Sequence, residues 1–189
     1  MRKIVSSHNM RRRDFFSSLA QASIELLGQN AFHGSILDVP YTFVPSNLPD
    51  KPTLLVVGGL RLKEKIYLNH FNVIFMDKWP KANDVIFWRK LLLRHDLTDQ
   101  VHVLCKNMPA SMPSFMKRVL CLSAGSAKVS SIITRRVPTM VMVSEDQALS
   151  LPQNTSTWAK GSDVFVGNVN GLNNHQSPAY ARAMQFFNG

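Results

Sequence analysis

Short, uninterrupted apolar runs mark most of the strands this chain is expected to form. Thr53–Gly59 (TLLVVGG), Asn72–Met76 (NVIFM), Gln100–Cys105, Arg118–Leu122 (RVLCL) and Thr139–Val143 (TMVMV) are bounded by Gly, Pro or polar residues. That is the signature of strands buried on both faces of a parallel sheet. Tyr41–Val44 and Val164–Val166 are expected as shorter extended pieces. Helical spacing governs other stretches. Phe16, Leu19, Ala20, Ser23, Ile24 and Leu27 share one face of a helix that Asp14 caps and Gly28 closes. A short basic helix is expected over Arg61–Tyr67. Another runs from Asn83 or Asp84 through Leu91–Leu93 to about His95, and a third over Lys128–Arg136 turns Val129, Ile132 and Ile133 inward. Ser177 caps a last helix with Pro178 at its first position and Tyr180, Ala183, Met184 and Phe187 as its buried stripe. Pro40, Pro45 and Pro49 exclude regular helix between the first helix and the first long strand, and Met108–Phe115 reads as a loop.

The strand, helix and strand of residues 118–143 form a βαβ unit, so its strands should be parallel with a right-handed crossover. The succession of elements predicts an α/β fold: three layers, a mostly parallel sheet flanked by helices, Rossmann/flavodoxin-like. One such domain is expected over residues 14–189, preceded by a basic arm over 1–13. With 189 residues, 45% of them hydrophobic, the chain supports a sizeable core, and wholesale disorder is excluded. No apolar run approaches the roughly 18 residues that cross a bilayer; the longest, Val85–Leu93, is broken by Arg89 and Lys90. No membrane partner is expected.

Charge changes the picture most. Lys and Arg number 22 against 12 acids, a net charge of +10, and so one-sided a surface calls for a polyanion. Arg2, Lys3, Arg11, Arg12 and Arg13 precede the first acid, Asp14. An Arg- and Ser-rich, acid-poor start is the composition of a mitochondrial targeting segment and also of an uncleaved arm laid along phosphates; the arm is the expectation here. Further basic groups recur at Arg61, Lys63 and Lys65, at Arg89, Lys90 and Arg94, at Lys117 and Arg118, and at Arg135 and Arg136. Cys105 and Cys121 lie inside apolar strands and are expected as buried free thiols in a reducing compartment.

Catalytic signatures are weak. Gly58-Gly59 after a strand matches neither G-x-G-x-x-G nor a P-loop, although ligands of open α/β sheets bind at that edge. Ser123-Ala124-Gly125-Ser126 with Lys128 offers a second turn before a helix that could hold a phosphate, with ordinary capping as the plainer reading. No G-x-S-x-G elbow exists. His8, His33, His70, His95, His102 and His175 show no zinc-ligand spacing. Glu145 and Asp146 end a strand, where capping or solvation is the plainer role. No metal or cofactor is expected.

RVLCLSAGSAKVSSIITRRVPTMVMVSED resembles a segment of the universal small-subunit ribosomal protein S-two family. Val137-Pro138 stands at its Ile-Pro and Glu145 or Asp146 at its Val-Asp. Val166-Gly167-Asn168 is similar to its Pro-Gly-Asn-Asp step, TLLVVGG to its first strand, and Lys78-Trp79-Pro80 with Asn83 to its Arg-Trp stretch. Asn30-Ala31-Phe32-His33-Gly34 echoes its opening motif, and its Gly-Gly-Thr-Leu-Thr is missing. The resemblance spans residues 14–187 and implies a divergent mitochondrial member, a non-enzymatic constituent of the small ribosomal subunit. Its partners would be rRNA and neighbouring ribosomal proteins, with no small-molecule substrate. Arg11–Arg13 would then lead, and Arg2, Lys3, Arg61, Lys63, Lys65, Lys117, Arg118, Arg135 and Arg136 would add rRNA contacts. Two other readings stay open: a Rossmann-like nucleotide-dependent transferase using Gly58 and Gly59, and a free-standing RNA-binding regulator.

Overall fold

The apolar runs become the interior strands of one sheet, in a computed structural model that describes residues 30–60, 62, 65–81, 85–109, 113–122, 137–149 and 162–189. Among the described residues the strands are β1 (Phe32–Ile36), β2 (Val39–Val44), β3 (Thr53–Val57), β4 (Asn72–Met76), β5 (Val101–Cys105), β6 (Met116–Cys121), β7 (Thr139–Val143) and β8 (Ser162–Val166). Their order across the sheet is β1-β2-β4-β3-β5-β6-β7-β8. The β1–β2 hairpin and the β2–β4 pairing are antiparallel. Every pairing from β4 through β8 is parallel. The expected α/β class with a mostly parallel sheet is therefore the observed one.

Side chains alternate across this sheet with period two. Leu54, Val56, Leu104, Leu120, Met140 and Met142 face one layer; Leu55, Val57, Val103, Cys105, Val119 and Cys121 face the other. The first layer is closed by α3 (Pro178–Asn188), which buries Tyr180, Ala183, Met184, Phe186 and Phe187. Its start is as expected: Ser177 Oγ accepts the Tyr180 N–H at 3.1 Å, satisfying an orphan donor of the first turn. The second layer is closed by α1 (Val85–Arg94) through Phe87, Trp88 and Leu91. Burying five such side chains from one short helix stabilises by several kcal/mol against leaving them in water, at about 1.5–3 kcal/mol each, which is why α3 is fixed on the sheet.

Three elements differ from expectation. The strand β1 was not foreseen, because its hairpin turn carries no glycine: Leu37 and Asp38 take the positive φ of 49° and 63° themselves, a conformation usually signalled by Asn-Gly. Of the basic stretch after β3 expected as a helix over Arg61–Tyr67, the described part is a 3₁₀ turn over Lys65–Asn69, and Arg61, Lys63 and Glu64 lie outside the described residues. Glu145 and Asp146 begin a short helix, α2 (Glu145–Leu149). Ser144 Oγ accepts the Gln147 N–H and Gln147 Oε1 accepts the Ser144 N–H, both at 3.3 Å, a reciprocal cap. The helices expected over Asp14–Leu27 and Lys128–Arg136, and the arm over 1–13, lie outside the described residues. Cys105 and Cys121 are buried and free, as expected. No described helix is long and apolar enough to cross a membrane.

Candidate ligand-binding site

Chain direction reverses between β3 and β5. From β3 the chain steps to β4 on one side, then crosses to β5 on the other. A crevice opens at the carboxyl ends of strands at such a switch point. Here β3 runs out into Gly58 and Gly59, with φ of 107° and 69°, and β5 runs out into Lys106. The Lys106 N–H donates to Val57 O and the Gly58 N–H to Met76 O, each at 3.0 Å. A Cβ on Gly58 would lie 2.7 Å from Lys106 Cβ, so only glycine lets the two turns meet.

A cavity of about 400 Å³ sits above this junction. Leu60, Leu62, Leu104, Leu122 and Leu172 make its apolar wall, and Lys106, Asn170 and Asn173 bring polar side chains to it. Period two explains the split within β5: His102, Leu104 and Lys106 point to one face, so Leu104 forms floor and Lys106, one step beyond the strand, is exposed. The opposite wall is the 3₁₀ turn Val169–Asn173, capped by Asn168, whose Oδ1 accepts the Asn170 N–H at 3.0 Å. The buried Tyr67 hydroxyl donates to Leu172 O at 2.8 Å and ties that wall to the core.

Among the described residues Lys106 is the one charged side chain lining the cavity, and no described carboxylate joins it there. Among the described residues the acid beside the glycine turn is Asp77, its Oδ1 4.0 Å from where a Cβ on Gly59 would stand. The Gly59 and Leu60 N–H groups meet no backbone acceptor among the described residues. Cys105 lies beneath the turn; its contact with Cys121 and its burial raise its thiol well above the ordinary value and keep it protonated. His102 stands at the far end of β5. Burial, then the Arg118 charge, lowers its pKa to about 4, so it is neutral and remote from the cavity. No group of three or more His, Cys, Asp or Glu side chains that could hold a metal occurs among the described residues.

The basic residues put forward from sequence are not gathered at this place. Lys65 is exposed on its 3₁₀ turn, and Lys117 is exposed at the start of β6. Arg118 is partly buried, its guanidinium 5.7 Å above the Phe186 ring. Lys117 and Arg118 sit at the amino end of the sheet, where Arg118 is in register with His102, opposite the cavity. Arg2, Lys3, Arg11, Arg12, Arg13, Arg61, Lys63, Arg135 and Arg136 lie outside the described residues. Sequence reading did single out Gly58 and Gly59 at the sheet edge. It missed Lys106, whose signal was its place one residue past a buried strand, and the Asn-rich turn Asn168–Asn174.

Strand order and a cavity at the switch point define an α/β protein with a ligand-sized site at the carboxyl ends of its parallel strands. The chain is similar to the naproxen esterase of Bacillus subtilis, with a TM-score of 0.58, 11% identity, and coverage of 98% of this chain and 100% of that one. The carboxylesterase CesB of Bacillus subtilis gives 0.54 at 13% identity over 92% of this chain and 97% of that one. The acylaminoacyl peptidase of Pyrococcus horikoshii gives 0.54 at 10% identity over 91% of this chain, which spans 43% of that longer one. The sequence matches no protein-family model and no curated protein. At these identities the likeness establishes the fold. It overturns the resemblance to the ribosomal S-two family, and with it the expectation of a non-enzymatic small-subunit constituent with rRNA and ribosomal proteins as partners and no small-molecule substrate. The misleading signal was generic: strand, polar turn, helix, apolar-Pro and strand describe any βαβ unit.

Hydrolases of this fold place a serine on a strained strand-to-helix elbow and bind the oxyanion with backbone N–H groups from that elbow and from the loop after β3. The glycine turn after β3 is present in this chain. The neighbouring turn reads Cys105-Lys106-Asn107-Met108-Pro109, where G-x-S-x-G would be required. None of these residues has a positive φ, and the Asn107 carbonyl instead accepts the Trp79 indole N–H at 2.9 Å. The turn after β3 carries two glycines, and Asn107 stands where such an elbow would carry its serine.

Proposed function

We propose that the protein is a hydrolase-class enzyme that binds a small acyl compound in the cavity between the ends of β3, β5 and the Val169–Asn173 turn. The observation that carries this reading is the Gly58-Gly59 turn. Gly58, Gly59 and Leu60 line, beside the end of β5, a cavity of about 400 Å³, at the small end of the roughly 300–1,000 Å³ range of ligand sites. Donors fixed in the backbone stabilise a developing oxyanion without reorganising, an effect of about 3–4 kcal/mol per donor in serine hydrolases. With Asn107 in place of a hydroxyl, water attacks the bound carbonyl carbon directly, the acyl C–O bond breaks, and the water's proton goes to the departing alkoxide, so acid and alcohol form without an acyl-enzyme. The esterase and peptidase names of the structural neighbours support the substrate class.

Hydrolysis of p-nitrophenyl acetate, butyrate and octanoate by the full chain tests it. The expected result is saturable turnover without a pre-steady-state burst. Leu104→Trp, which fills the cavity, should lower kcat/KM at least tenfold while circular dichroism stays unchanged. A rate equal to buffer with all three esters would overturn the reading, and a burst would overturn the direct attack of water.

A further inference from the structure

We infer that the cavity is built for an anionic ligand, a carboxylate on a short acyl chain, with Lys106 as the residue that selects the charge. This rests on the reading that the cavity takes a small acyl compound, and adds which kind. Three observations converge on it. Among the described residues Lys106 is the one charged side chain that lines the cavity, with no acid beside it there. Its backbone is fixed: its N–H donates to Val57 O at 3.0 Å, and its Cβ lies 2.7 Å from the Cβ position of Gly58. Lys106 thus lines the cavity together with Gly59 and Leu60, its side chain starting from a fixed point beside the glycine turn. The wall facing them is hydrocarbon, from Leu60, Leu104, Leu122 and Leu172. A headgroup with two oxygens and an apolar tail, the acid that ester hydrolysis releases, matches that division. Asn170 and Asn173 on the far wall supply neutral donors and acceptors and leave the charge preference to Lys106. Asp77, the described acid beside the glycine turn, is not among the residues lining the cavity.

A lysine placed this way acts as a point charge. An ion pair formed at an exposed side chain weakens with salt, whereas a contact of hydrocarbon with leucine does not. The experiment is a calorimetric titration of the full chain with octanoate, octanamide and octylammonium, at low and at high salt, in the wild type and in Lys106→Met, Lys106→Arg and Leu104→Trp. The wild type should bind octanoate at least tenfold more tightly than octanamide, equivalent to about 1.4 kcal/mol, and should not bind octylammonium. Lys106→Met should remove that preference by weakening octanoate alone, and Lys106→Arg should keep most of it. Raised salt should reduce the octanoate affinity only. If octanamide binds as tightly as octanoate, or if Lys106→Met leaves the preference intact, the charge selection is overturned while the acyl cavity stands. If none of the three ligands binds, and Leu104→Trp changes nothing, the acyl cavity falls and the charge selection with it.

Discussion

Gly58 and Lys106 are in backbone contact across the β3–β5 junction, with 2.7 Å between Lys106 Cβ and the place a Cβ on Gly58 would take. Gly58 also has φ of 107°, outside the range L side chains adopt. Gly59, at φ 69°, has no such neighbour: the nearest atom to its Cβ position is Asp77 Oδ1 at 4.0 Å. The two glycines thus differ in why they are needed. Gly58→Ala adds a clash to a conformational cost, and about 2–4 kcal/mol of lost stability is expected; Gly59→Ala carries the left-handed cost alone, about 1 kcal/mol. Urea unfolding of the two variants measures both. Equal losses would show that the Lys106 contact yields without resistance.

His102 makes the fold acid-sensitive. It is 8% exposed on β5, wedged between Phe71 and Phe187 at ring distances of 6.0 and 5.6 Å, and its Nδ1 has no partner. Burial and the Arg118 charge lower its pKa from 6.5 to about 4. A base with a depressed folded pKa binds protons preferentially in the unfolded chain, so its contribution is intact above pH 6.5. That contribution falls as pH drops from 6.5 towards 4, with a total near 3 kcal/mol. His33 and His95 are lowered as well, each chiefly by burial, and act in the same direction. Unfolding free energy measured between pH 7.5 and pH 4.5 should show the loss, and His102→Leu should flatten it. A slope that the substitution leaves untouched would assign the acid sensitivity to other groups.

What the sequence revealed and what it hid follow from the range of the interactions. Continuous apolar strands such as Asn72–Met76 and Thr139–Val143 were legible to the residue because burial on both faces leaves a local pattern. The Ser177–Pro178 start of α3 was legible for the same reason: a cap is made by neighbours in sequence. The cavity was half legible. Gly58 and Gly59 stood out as a turn at a strand end, but Lys106 and Asn173 meet them only through strand order, which no single run encodes. Function was misread because net charge is a bulk property: +10 says that a surface is basic and says nothing of where the strand ends lead.

The Tyr41–His95 contact shows how far such long-range ties reach. Tyr41 is fully buried in β2, and its hydroxyl lies 2.7 Å from His95 Nε2, just past the end of α1. The His95 ring stacks on Phe43 at 4.2 Å and meets Phe32 edge-on at 5.0 Å, while Arg94 donates to Ser35 O at 3.0 Å. Together they fasten the β1–β2 hairpin to the helix. Removing only the hydroxyl, by Tyr41→Phe, leaves the rings in place and strands a buried nitrogen, with an expected loss of about 1–2 kcal/mol. His95→Ala removes the stack as well and should cost more. Hydrogen exchange should localise both effects to the hairpin; protection unchanged in β1 and β2 would show that the contact holds nothing.

Cys105 and Cys121 are paired neighbours on β5 and β6, both buried, within reach of each other directly under the Lys106–Asn107 turn. The Cys121 thiol donates to Lys106 O at 3.7 Å, and the contact between the two sulfurs, together with burial, holds the Cys105 thiol protonated. The thiolate is the reactive species, so Cys105 is not a nucleophile at neutral pH despite its place beneath the cavity. Modification by iodoacetamide in the folded protein should therefore be slow and should accelerate in urea in step with unfolding. Cys105→Ser puts a hydroxyl where a weakly polar sulfur was and should cost about 1–3 kcal/mol, whereas Cys105→Ala should cost less for its size because it buries no new polar group. Esterase turnover should survive Cys105→Ala, with kcat within about twofold of the wild type. Fast alkylation of Cys105 in the native state, or loss of turnover in that variant, would show that the thiol reaches the substrate and that the reaction does not rest on water alone.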